Sequence, residues 1–111
     1  MQFLVTGEWV EVGALLPPAQ MVPVMDGLVL PSLETFVQWE REGRIHGGIL
    51  AGQRAGTFVL EAASAEEAGD LLSSLPFWGL VKWEVTALQS FASAVARDHA
   101  GTERMRQMMS S

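Results

Sequence analysis

Cysteine and tyrosine are both absent from the 111 residues. Their absence excludes disulfides, thiolate metal sites, cysteine nucleophiles and tyrosine as a proton carrier. Charge is scarce too: 18% of residues are charged, and 13 acidic against 7 basic groups leave a net −6. No run of Lys or Arg occurs, and a chain of this sign is repelled by phosphate, so nucleic acid is not an expected partner. No apolar run approaches the roughly 18 residues of a membrane helix. The start "MQFLVTGEWVEVG" has no basic residues and carries Glu8 and Glu11 where a signal peptide is apolar. A soluble, cytoplasmic protein without membrane partners is expected. The two histidines, His46 and His99, lie far apart, so no metal site is expected. The glycines of "GRIHGGILAGQRAG" do not lead a strand into a helix as phosphate-cradling loops do, and no G-x-S-x-G elbow occurs. No cofactor is expected.

Apolar residues, by contrast, make up 49% of the chain. One small domain has too little interior to hide that much apolar side chain, so a homodimer or higher homo-oligomer is expected. Residues 1–111 read as one domain, with a core over 1–88 and a helical extension over 89–111.

Residues 2–10, "QFLVTGEWV", read as a strand of β-branched and aromatic residues. Pro17, Pro18, Pro23 and Pro31 punctuate residues 13–31, predicting a loop with at most a short helical turn near 18–26. A first helix then opens at Ser32 as its cap, with Leu33, Phe36 and Val37 as its apolar stripe, and ends at Gly43. Residues 44–51 and 56–62 read as a hairpin around "GQRAG". In the second helix Ser64 and Glu67 form a capping box ahead of Ala68, Leu71, Leu72 and Leu75, and Pro76 stops it. Residues 78–85, "WGLVKWEV", read as the fourth strand. A third helix carrying Leu88, Phe91, Ala92 and Val95 is expected to break at Gly101, with a methionine-bearing tail beyond. Two split βαβ halves of this order build an α+β, ferredoxin-like βαββαβ domain with a four-stranded antiparallel sheet and both main helices on one face. In the strands Phe3 and Val5 point one way and Leu4 the other, while Leu80 opposes Val81, Trp83 and Val85. Apolar side chains on both faces suggest that the second face is buried against another subunit.

Residues 41–88, "REGRIHGGILAGQRAGTFVLEAASAEEAGDLLSSLPFWGLVKWEVTAL", resemble the second half of muconolactone isomerases. Ser64, Leu71, Leu72, Leu75, Pro76, Phe77, Glu84, Val85 and Leu88 stand where that family has its serine, its leucine-rich helix running into Pro-Leu-Phe, and its Glu-Val strand. The resemblance implies the dimeric α+β barrel group and cofactor-independent proton transfer, an isomerisation, or an oxygenation on a compact cyclic or aromatic compound. The family's acidic helix position falls on Ser32, with Glu34 close by, and the histidine of its second helix is Gly69. The alternative is a non-catalytic ligand-binding or oligomerisation module of the same fold.

His46 is the candidate proton carrier and sits in a predicted strand. It is either a general base in a pocket between sheet and helices or a locally hydrogen-bonded strand histidine. Glu34 is either its acidic helper or a complement to the helix dipole. Trp39, Phe77, Trp78 and Trp83 either line a cavity for a flat ligand or pack the core and interface.

Overall fold

A computed structural model describes residues 1–10 and 16–110. The chain runs β1 (Gln2–Trp9), α1 (Pro18–Val24), a π-helical turn (Met25–Val29), α2 (Leu30–Arg41), β2 (Ile45–Ile49), β3 (Ala55–Glu61) and α3 (Ala65–Ser73). A 3₁₀ turn (Trp78–Leu80), β4 (Val81–Leu88) and α4 (Phe91–Met109) complete it. All strand pairs are antiparallel, in the order β2-β3-β1-β4. That is the expected ferredoxin-like α+β arrangement with an extra C-terminal helix.

Alternation along the strands decides which residues face the helices. Phe3 and Val5 of β1, Phe58 and Leu60 of β3 and Ile45 of β2 are buried on one face. There they join Trp39 from α2, Ala68 and Leu72 from α3, and Leu75 and Phe77 from the corner before β4. The opposite face carries the row His46, Val59, Leu4 and Thr86, one residue from each strand.

Local chemistry explains α3. The Ser64 hydroxyl accepts from the Glu67 amide at 3.1 Å, and the Glu67 carboxylate reaches back to the Ala63 amide at 3.3 Å. The capping box forms as the sequence indicates, with its return bond one residue earlier than the usual one. Gly43 adopts φ +74 beyond the end of α2, a conformation that glycine tolerates best.

The proline-rich segment corrects the expectation of a loop. Of that segment, residues 13–15 lie outside the described residues, but helix is continuous from 18 to 41. Pro18 occupies the first helical turn, where a missing N–H costs nothing. Ahead of Pro31 the hydrogen-bond ladder widens: the Leu30 amide bonds the Met25 carbonyl, five residues back. The π turn therefore opens the helix where the proline ring would otherwise press on the preceding turn.

Ser32 is accordingly no cap. It lies inside the helix, fully buried, donating its hydroxyl proton to the Leu28 carbonyl at 2.6 Å. The same oxygen accepts from the Phe77 amide at 3.0 Å, so a single hydroxyl ties α2 to the corner that leads into β4.

Two further boundaries differ. Trp78–Leu80 is a 3₁₀ turn, and β4 runs from Val81 to Leu88, so Leu88 ends a strand paired with Gln2 rather than opening the third helix. Gly101 does not break α4, which runs 19 residues without interruption. One helical glycine costs about 1 kcal/mol relative to alanine, too little to end a helix by itself. Neither α1 nor α4 contributes a buried residue. Among the described residues no helix is long and apolar enough to cross a membrane.

Candidate functional site

A cavity of about 460 Å³ opens between α2 and one end of the sheet. Its floor is made by missing side chains. Across the sheet the register sets Ile49, Gly56, Gly7 and Trp83 in one row facing the helices. The two central members lack a Cβ, so the sheet surface sinks between them. A Cβ on Gly7 would lie 2.9 Å from Val81 Cγ1 and 3.0 Å from the Trp83 ring. Glycine there lets the indole lie across β1. Gly47, next to this row on β2, has φ +155, and a Cβ there would stand 2.2 Å from the Thr57 carbonyl oxygen. Only glycine fits that approach of β2 to β3.

Aromatic rings close the inner wall. Phe77 packs edge-on against Trp9 at 6.3 Å, Phe36 at 5.9 Å and Trp83 at 6.0 Å, and Phe36 meets Phe58 at 5.1 Å. These distances and tilts are the favoured arrangement for ring quadrupoles. The Trp83 indole N–H donates to the Trp78 carbonyl at 3.1 Å, which fixes the orientation of the ring.

The roof is one face of α2, formed by Leu33, Phe36, Val37 and Glu40 at helical spacing. The hairpin between β2 and β3 adds Gln53 and Arg54. The polar complement of an otherwise apolar cavity is thus one carboxylate, one amide and one guanidinium, all three on exposed residues. Among the described residues neither Glu40 nor Arg54 forms an ion pair within the chain.

The residues nominated from the sequence divide. Phe77 and Trp83 line the cavity. Trp39 is buried in the core behind it, against Phe36 at 5.6 Å, and Trp78 is exposed outside it. His46 follows the buried Ile45 in β2, and the strand alternation turns it to the opposite, open face of the sheet. The expected placement of His46 between sheet and helices is therefore corrected. Glu34 is exposed and lies off the cavity face of α2, so the two groups do not meet.

Trp9 and Glu40 were missed, although both had a signal. Trp9 shares strand parity with Phe3 and Val5. Glu40 lies four and three residues beyond Phe36 and Val37, on the same stripe.

No protein-family model matches the sequence, and no curated protein does. A solved structure does match. The crystal structure of a muconolactone isomerase at 3.3 Å resolution is similar at a TM-score of 0.65 and 27% sequence identity, covering 81% of this chain and 90% of that one. The chain has a muconolactone isomerase-like fold.

Proposed function

We propose that the protein binds a compact, unsaturated or cyclic organic acid in this cavity and catalyses a cofactor-independent isomerisation by proton transfer. The observation that carries the reading is the pairing of an apolar, aromatic-walled cavity with Glu40 and Arg54, neither ion-paired among the described residues. A ring or conjugated acid is held by the faces and edges of Trp9, Phe77 and Trp83. The Arg54 guanidinium supplies the fork that matches a carboxylate or lactone oxygen. The Glu40 carboxylate is the cavity-lining group able to take a proton from carbon and return it elsewhere on the same molecule. The similarity to a muconolactone isomerase supports lactones as the first compounds to try. Self-association through the open sheet face is part of the proposal, because Leu4 and Leu88 are exposed there.

A second reading is favoured by one observation: Glu40, Gln53 and Arg54 are all exposed, leaving the interior purely apolar. On that reading the site binds without turnover.

The test is a panel of lactone and hydroxynaphthoquinone acids, screened by calorimetry and then by proton NMR in deuterated buffer. Isomerisation incorporates solvent deuterium, whereas an oxygenation consumes dioxygen instead. Glu40→Gln is expected to slow incorporation about 10²–10⁴-fold, with His46→Ala and Glu34→Gln within about threefold of the parent. Binding without incorporation supports the second reading. Incorporation undiminished in Glu40→Gln removes that residue as the base.

A further inference from the structure

The cavity is too large for one ring. An apolar space of about 150 Å³ is enough to hold a benzene molecule, and this cavity is about 460 Å³, three times that. A single five- or six-membered ring would leave about 300 Å³ unfilled, the room of about ten water molecules. Those waters would lie against apolar and aromatic walls that offer them few hydrogen bonds. Releasing them favours a ligand that fills the space.

The shape of the space follows from the strand row beneath it. Ile49, Gly56, Gly7 and Trp83 span three strand spacings, about 14 Å between the outer Cα atoms. The two outer side chains lie sideways over the two glycines. A Cβ on Gly56 would meet Ile49 Cδ1 at 3.2 Å, as one on Gly7 would meet the Trp83 ring at 3.0 Å. Side chains that lie down instead of standing off the sheet make a floor that is long and level.

The rings around that floor leave a place for a flat partner. All five ring contacts among the described residues are tilted, by 55° to 86°, and none is a parallel stack. Trp9 and Trp83, which both line the cavity, each touch one ring among the described residues, that of Phe77. Offset stacking, the other favoured arrangement of aromatic rings, is thus left open to a planar ligand. Arg54 lies on the hairpin at this end of the sheet, exposed and without an ion pair among the described residues. It suits an acidic group at the outer edge of such a ligand.

We propose that the cavity selects planar acids of at least two fused rings, laid along the floor between Ile49 and Trp83 with the acidic group at Arg54. Gly7 and Gly56 are then specificity-determining positions, because side chains there would raise the floor into the space the second ring fills. This selectivity rests on the binding of an organic acid proposed above, and not on its turnover.

The test is titration calorimetry of the full-length protein with four acids of equal charge. These are benzoic acid, 2-naphthoic acid, and the decahydro-2-naphthoic and straight-chain undecanoic acids, which match 2-naphthoic acid in carbon count. 2-Naphthoic acid is expected to bind at least about tenfold tighter than benzoic acid, from the apolar surface of the added ring. It is also expected to bind at least about tenfold tighter than either saturated acid, although both are more apolar. Burial of apolar surface alone gives the reverse order, so this order reports flatness. Benzoic acid within about threefold of 2-naphthoic acid, a saturated acid bound equally well, or no binding by any of the four overturns the proposal.

Gly56→Ala lifts Ile49 from the floor, and Val37→Trp lowers the roof. Each is expected to abolish most of the preference for 2-naphthoic over benzoic acid. Val37 is exposed, so its variant keeps the fold even where Gly56→Ala does not, and an unchanged preference in Val37→Trp overturns the proposal. Deuterium incorporation into a single-ring lactone, by a protein without preference for fused rings, refutes this selectivity and leaves the isomerisation standing. The preference without incorporation into any acid refutes the isomerisation alone.

Discussion

Replacing Ser32 by alanine removes one oxygen atom and leaves a specific hole in the hydrogen bonding. In the native protein that oxygen donates to the Leu28 carbonyl at 2.6 Å and accepts from the buried Phe77 amide at 3.0 Å. Alanine leaves the amide without an acceptor in a place water does not reach, which costs about 1–3 kcal/mol. The substitution also gains about 0.5 kcal/mol of helix propensity. The net loss is therefore about 0.5–2.5 kcal/mol. At an unfolding entropy near 2.1 cal/mol/K per residue, each kcal/mol lowers the midpoint of a chain this size by about 4 °C. A fall of about 2–10 °C in calorimetry is expected, together with lost protection of the Phe77 amide in hydrogen exchange. Thr35→Ala is the control. Its hydroxyl bonds only the Pro31 carbonyl, at 2.9 Å within the same helix, so the gain in propensity should leave stability equal or slightly higher. If Ser32→Ala behaves like Thr35→Ala, the hydroxyl does not tie α2 to the β4 corner and the reasoning is refuted.

Three other outcomes are expected. Leu72→Ala should cost about 2–5 kcal/mol in denaturant unfolding, because Leu72 is 2% exposed in the centre of the core; a loss below about 1 kcal/mol would place it elsewhere. Gly7→Ala should displace the Trp83 ring, since the new methyl group would sit 3.0 Å from it, and ligand affinity should fall; unchanged affinity would show that the floor beneath Trp83 does not shape the site. Light scattering at micromolar concentration should give at least a dimer, and Leu4→Arg on the open sheet face should shift it toward monomer; a monomeric parent protein would remove the self-association proposal.

Much of the fold was legible because its signals are local. The Ser64–Glu67 box, the leucine spacing of α3 and the alternation around Phe3 and Val5 each depend on residues within one or two turns of one another. The helix over 18–41 was hidden because each proline, taken singly, argues against helix. What rescues it is a cooperative adjustment, the π turn ahead of Pro31, that leaves no mark in composition. Ser32 shows the same limit: its partner Phe77 is 45 positions away. For the site, His46 was nominated by side-chain chemistry when the parity with Ile45 already turned it away, and Glu40 was passed over although the Leu33–Phe36–Val37 stripe led to it.

The distribution of the four tryptophans has an optical consequence. With no tyrosine in the chain, ultraviolet emission comes from indole alone, and the indoles occupy three different surroundings. Trp9 and Trp83 look into the cavity, Trp39 is 8% exposed within the core, and Trp78 is 49% exposed at the corner. Iodide in solution should quench Trp78 and leave Trp39 bright. A ligand in the cavity should shift the emission of Trp9 and Trp83 without touching either of the others, and denaturant should redden Trp39 only when the core opens. The protein thus carries built-in reporters for its surface, its cavity and its interior, separable by single Trp→Phe replacements and needing no attached dye.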